Sequence, residues 1–187
     1  MRRALPNITD IPKARMAMWW VVASEMVIFG GLICCYVLYR LKYPEWGESA
    51  SHTSTTLGAI NTFVLLTSSL TIALAHEAAT QKRFNKIAQY MSFTILFAFM
   101  FLGIKMFEYS EKVAHGFTLT TNLFWSFYYL MTGLHAFHVI IGIFVMFLIM
   151  LQARKGLHLH RVEMVGLYWH LVDIVWIFLF PLLYVAQ

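Results

Sequence analysis

Residues 123–151 read LFWSFYYLMTGLHAFHVIIGIFVMFLIML, a run without Lys, Arg, Asp or Glu. A helix rises about 1.5 Å per residue and the hydrocarbon core of a bilayer is ~30 Å thick, so about 20 apolar residues are enough to cross it. This run is longer, and it demands a tilt or a protruding end. The rest of the chain is of the same kind. Of 187 residues, 60% are hydrophobic, 17% aromatic and only 12% charged, against about 25% charged in an ordinary globular protein. A sphere this small cannot bury so much apolar surface, and its few charges would not keep it dissolved. The mean hydropathy is +0.67. Soluble, disordered, collagenous, coiled-coil and disulfide-scaffold readings are excluded, and the expected fold is an all-α integral membrane bundle.

Four further segments reach spanning length: about Met16 to Leu38, Leu57 to Ala75, Ile87 to Phe107 and Val165 to Val185. With the opening run as the fourth of five spans, residues 1–187 read as one membrane domain. No cleavable leader is expected, because the first apolar run is too long for a signal peptide. Lys105, near the end of span three, can snorkel outward. The longest connector on the outer side is Pro44 to Thr56, while the Ala78–Lys86 and Ala153–Val162 links are short and basic. Ten Lys and Arg residues, Arg2 and Arg3 among them, fall on one side of the five spans, against four on the other. The positive-inside rule therefore places the N-terminus in the cytoplasm and the C-terminus outside. The same clustering explains the net charge of +5 without nucleic acid. Cys34 and Cys35 are the only cysteines. Being adjacent they are poor disulfide partners, and they read as small apolar filler.

Polar side chains inside hydrocarbon are costly, so each one has to face a helix partner, a cavity or water. Span one carries Glu25, ten residues past Arg15 and so about 15 Å along the axis, near mid-membrane. Span two carries Asn61, Thr62, Thr67, Ser68, Ser69 and Thr71, which suit close helix contacts and bonds back to carbonyls. Lys105 and Glu108 share a face at the end of span three and suit mutual neutralisation near the outer surface. His135 and His138 share a face of span four, as do His170 and Asp173 on span five, and the four suit one polar cluster joining those spans. Iron or zinc also takes such residues. However, bulky Leu134, Phe137 and Ile140 crowd the two histidines and the Glu-x-x-His repeat of di-iron bundles is missing, so no metal or haem is expected in this chain. For Glu25, expected neutral or hydrogen-bonded at that depth, three roles stay open: a buried structural acid, a proton-relay member or a lipid-facing polar anchor.

Several strings then resemble one family. Asn61-Thr62 with Ser68-Ser69-Leu70-Thr71, Glu108-Tyr109, and Thr132-Gly133-Leu134-His135-Ala136-Phe137-His138-Val139 are similar to motifs of subunit III of the haem-copper cytochrome oxidases. So is the last span, with Glu163, Gly166-Leu167-Tyr168-Trp169-His170, Val172-Asp173, Trp176 and Phe180-Pro181. Ser24-Glu25 resembles the segment that carries the family's membrane-embedded glutamate. Lys105 departs from the pattern, standing where the family's Gln is expected.

The resemblance implies a seven-helix family in which many bacterial members lack the first two helices, and this chain looks like that short form. It implies a subunit without haem or copper of its own, those cofactors belonging to partner subunits. Its partners would be the catalytic subunit I, subunit II and membrane phospholipid, with a respiratory supercomplex as a further assembly. By the same resemblance Glu25 would be the embedded carboxyl, His135, His138, His170 and Asp173 an interhelical polar core, and Glu163 a cytoplasmic-side polar contact. The implied function is non-catalytic support of a proton-pumping terminal oxidase in the bacterial cell membrane, carrying electrons from cytochrome c to oxygen. Quinol oxidases and some nitric oxide reductases use similar subunits. From other classes stand an independent proton channel or transporter, and a membrane haem protein.

Overall fold

A computed structural model describes residues 13–43, 46–156 and 159–185. Arg2 and Arg3 of the charge count, Pro44 of the outer connector and the terminal Gln187 lie outside the described residues. The described chain is predominantly helical: α1 (Lys13–Lys42), α2 (Trp46–Ser51), α3 (Thr55–Thr80), α4 (Phe84–Ala114), α5 (Leu123–Arg154) and α6 (His160–Phe180), the last continued by a π-helical turn, Pro181–Val185. All except α2 are long and apolar enough to cross a membrane.

Each spanning helix extends past its expected span at one end or both, because hydropathy reads the hydrocarbon slab while a helix continues through the interface until its backbone is stopped. The stops are local. The Ser54 hydroxyl accepts the Leu57 N–H at the start of α3, and the side-chain Oδ1 of Asn122 accepts the Trp125 N–H at the start of α5. Gly116 and Gly156, at φ 82° and 71°, turn the chain out of α4 and α5. Pro181 has no N–H to continue the α6 ladder, and the wider turn begins there. The outer connector is not all loop, since it folds into α2. Trp46 of α2 is buried among Tyr36, Phe124 and Phe127.

Helices α3 and α4 pack together, α5 lies against α4, and α6 closes the ring against both α3 and α5. Two glycines permit the close approaches. A methyl group at Gly142 of α5 would lie 2.8 Å from the Trp169 ring of α6, and one at Gly58 of α3 would lie 2.7 Å from Phe180. Helix α1 leans on α6 and α5 from outside that ring. Cys34 and Cys35 are exposed on α1, so they do not fill the core as expected; the core residues of α1 are Phe29 and Tyr36.

Candidate functional site

Helices α3 and α6 are joined by an antiparallel ladder of polar contacts. Thr55 donates to the Tyr184 carbonyl at 2.9 Å, the Trp176 indole N–H to the Thr62 hydroxyl at 3.0 Å, and the Trp169 indole N–H to the Ser68 hydroxyl at 3.0 Å. Ser69 and His170 Nδ1 meet at 2.7 Å. The hydroxyls also bond back along α3, Thr62 to the Gly58 carbonyl and Ser68 to the Leu65 carbonyl. One side chain thus meets its own helix and its neighbour, as expected of the Ser and Thr group in span two.

At the end of the bundle where α4 passes into α5, Lys105 and Glu108 pair at 2.9 Å, 2% and 0% exposed. Tyr128 donates to Glu108 Oε1 at 2.9 Å, and Tyr184 to Glu108 Oε2 at 3.1 Å. Lys105 in turn donates to the Tyr184 hydroxyl at 2.5 Å. Four rings, those of Tyr109, Tyr128, Trp176 and Tyr184, stand with their centroids 5.1–5.3 Å from the ammonium. This corrects the reading in which Lys105 snorkels: it points into the ring of helices, because a carboxylate and two hydroxyls wait there at its own depth. Beside it Tyr109 and Thr132 tie α4 to α5 at 2.5 Å.

The four polar residues of α5 and α6 do not form one cluster, which corrects a second expectation. His170 turns to Ser69 on α3. His138 turns to α1, with Nε2 3.0 Å from Glu25 Oε2, and its Nδ1 lies 2.8 Å from the Leu134 carbonyl. His135 is fully buried between Phe101 and Trp176, and neither ring nitrogen has a hydrogen-bond partner. Both side-chain polar atoms of Asn61 are likewise buried without one, while the buried Asp173 carboxyl lies beside the Ser69 hydroxyl that also meets His170. Residues at i and i+3 share a broad face, but the two are about 60° apart around the axis, enough for one to meet α1 and the other the bundle interior.

Glu163, at the start of α6, accepts both hydrogen bonds from Arg15 of α1, at 2.7 and 2.9 Å. At the far end of α1, Tyr36 donates to the Leu182 carbonyl at 3.0 Å. Counting the Glu25–His138 contact between them, α1 is tied at three depths. The sequence reading misses Tyr36, Tyr128 and Tyr184, which count among the hydrophobic residues of the composition although each carries a hydroxyl; their concentration near the helix ends was the available signal. Among the described residues, no three His, Cys, Asp or Glu side chains are grouped as a metal-ligand set.

Residues 11–187 match the family model described as cytochrome c oxidase subunit III. A cytochrome c oxidase subunit 3 from Thermostichus vulcanus is 33% identical over 167 residues, covering 87% of this chain and 82% of the relative. A protein of Staphylococcus saprophyticus named probable quinol oxidase subunit 3 is 30% identical, over 91% of this chain and 87% of its own length. A heme-copper oxidase subunit I+III of Aeropyrum pernix is also 30% identical, matching 93% of this chain to 23% of itself. A family model matching nearly the whole chain, on a five-span bundle, leaves one conclusion: the chain belongs to the cytochrome c oxidase subunit III family.

Proposed function

We propose that this chain is the non-catalytic subunit III of a proton-pumping haem-copper terminal oxidase, which it serves by steadying the catalytic subunit, retaining phospholipid beside it and sustaining proton uptake. Haem and copper sit in the partner subunits, among them subunits I and II, and a respiratory supercomplex is the larger setting. The observation that carries the reading is the destination of the polar side chains. Lys105, Glu108, Ser68, Ser69, Thr62, His138 and His170 contact groups on neighbouring helices. The outer faces of the helices are left apolar. Such a body offers a large apolar surface to a partner or to lipid, and it commits most of its buried hydrophilic groups to holding its own helices together.

Retention of lipid is supported by two apolar grooves beside α1. One, of about 160 Å³, runs between Trp19 and Met26 of α1 and Leu167 and Ile174 of α6. The other, of about 170 Å³, lies between Met18 of α1, Ile141 and Val145 of α5 and Met164 of α6, with Arg161 also in its lining. Glu25 serves here as the membrane-embedded carboxyl and Glu163 as the polar contact at the start of α6. The membrane is the bacterial cell membrane, with the N-terminus cytoplasmic and the C-terminus outside. Reporter fusions at Gln187 test that orientation, which an activity confined to the cytoplasm would reverse.

Removing the chain from the complex in mild detergent should leave haem and copper spectra unchanged, while proton uptake slows or catalytic lifetime shortens. Loss of a haem or copper band would contradict the reading. The relative named as a quinol oxidase subunit supports a second donor, and a copper-binding subunit co-purifying with the chain decides for cytochrome c. An independent proton channel would instead carry flux in proteoliposomes holding this chain alone.

A further inference from the structure

The turn between α3 and α4 is short and strained. Gln81 closes α3, and Lys82 takes φ 55°, the left-handed conformation that glycine ordinarily supplies after a helix. The Arg83 N–H then returns to the Ala78 carbonyl at 2.9 Å, and α4 starts at once at Phe84. The two helices therefore run side by side from the turn onward. A pocket of about 110 Å³ opens between them, lined by Leu74, Glu77, Gln81, Arg83, Lys86 and Tyr90 among others.

The lining divides by depth. The apolar run of span two ends near Ala75 and that of span three begins near Ile87. Leu74 and Tyr90 lie inside those limits, whereas Glu77, Gln81, Arg83 and Lys86 lie outside them, so the pocket straddles the level at which hydrocarbon gives way to the polar interface. Arg83 and Lys86 are exposed, and among the described residues neither side chain has a hydrogen-bond or ion-pair partner. The hydroxyl of the half-buried Tyr90 has none there either. The one acid is engaged, Glu77 Oε1 accepting from Gln81 Nε2 at 3.2 Å. Two cations, Arg83 and Lys86, against the single carboxylate of Glu77 leave the pocket net positive, and Lys82 adds a third cation at the turn.

We infer that this pocket is a binding site for the headgroup of an anionic phospholipid, with the phosphodiester at Arg83 and Lys86 and the glycerol ester region towards Tyr90 and Leu74. At about 110 Å³ it is well below the ~300–1,000 Å³ of pockets that enclose a drug-sized ligand, so it takes one headgroup and leaves the acyl chains outside, along the helices. A basic pocket between spanning helices at the cytoplasmic boundary suits such a headgroup, whereas a soluble phosphate gains nothing from the apolar floor. The assignment rests on the membrane placement proposed above. It is separate from the two grooves beside α1, with which the pocket shares no lining residue.

The test uses the intact purified oxidase in nanodiscs of phosphatidylcholine that hold a small fraction of phosphatidylglycerol carrying a diazirine beside its glycerol. After irradiation the label is mapped by mass spectrometry. The wild type should be labelled within residues 74–90, and unlabelled phosphatidylglycerol should compete where inorganic phosphate does not. Each basic residue near an anionic lipid surface is worth about fivefold in binding, so Arg83→Gln combined with Lys86→Gln should cut that labelling by about tenfold. Glu77→Gln removes the one repulsive charge and should raise it, a gain that misfolding cannot imitate. Labelling beside Trp19 and Leu167 should stay as it is in either variant, which separates failure of this site from failure of lipid retention at the α1 grooves. Absence of label within 74–90 in the intact oxidase, as when a neighbouring subunit covers the pocket, overturns the inference. So does labelling that the substitutions leave unchanged, or equal labelling by a diazirine phosphatidylcholine. Displacement by inorganic phosphate overturns it too, and assigns the pocket to a soluble anion.

Discussion

Helices α6 and α1 cross the same membrane and are held in opposite ways. In the most apolar part of each, 56% of the α6 residues are buried within the chain and 11% of those of α1. Helix α6 is keyed into the bundle by Trp169, Trp176 and Leu179, each fully buried, and its two indole N–H groups are spent on α3. Helix α1 has two buried apolar anchors and three polar ties, at Arg15, Glu25 and Tyr36. In water the packing difference alone would decide which helix is firmly bound. In lipid the apolar face of α1 loses little by leaving, because acyl chains replace its neighbours, so the specific contacts have to hold it. Helix α6 therefore belongs to the rigid part of the subunit and α1 to its adjustable edge.

The largest effect is expected where α6 and its terminal turn meet the buried charges. Lys105→Met leaves Glu108 a carboxylate sealed at 0% exposure. Removing one partner of a buried pair costs about 3–5 kcal/mol. The temperature at which this chain is released from the purified oxidase should fall sharply, and Lys105→Met combined with Glu108→Gln should recover much of the loss. An unchanged release temperature in the single variant would mean that α6 does not depend on its polar centre, and the contrast with α1 would weaken.

A middle-sized effect separates close packing from mere contact. Gly142→Ala drives a methyl into the face of Trp169, and overpacking of this kind costs about 1–3 kcal/mol. Gly133→Ala on the same helix meets nothing within 4 Å. It should be neutral or slightly stabilising, since alanine gains up to about 1 kcal/mol over glycine inside a helix. Equal responses of the two variants in the same release assay would remove the claim that α5 and α6 are matched at Gly142.

The five spans were legible because apolar runs of the required length have no other stable use. The contact map was legible only in part. The Ser and Thr residues of α3 do what their placement predicts, since a short hydroxyl on a helix can reach only its own carbonyls or a neighbour close by. Lys105 misleads because its position along the sequence fixes its depth but not its direction around the axis. Direction is decided by Glu108 one turn on and by Tyr128 and Tyr184, which are 23 and 79 residues away. His135 and His138 mislead for the same reason, since a shared face predicts neighbours to each other rather than a shared partner. Glu163 was legible as a polar contact through the family resemblance, whereas its partner Arg15 counts in the sequence only as a flanking charge.

The smallest predicted effect tests α1 itself. Arg15 and Glu163 form a forked pair at half-exposed positions, 51% and 35% for their side chains, and exposed pairs contribute about 0.2–1 kcal/mol. Arg15→Gln and Glu163→Gln should therefore each lower the release temperature only slightly. In the double variant the two losses should not add, because either change removes the same contact. Salt should mimic the substitutions in the wild type and have less effect on the variants, since screening acts on what the pair supplies. A strongly additive result would assign each residue a separate partner. A loss as large as that of Lys105→Met would instead make the Arg15 contact the main clasp of α1, and α1 would then be as firmly bound as α6.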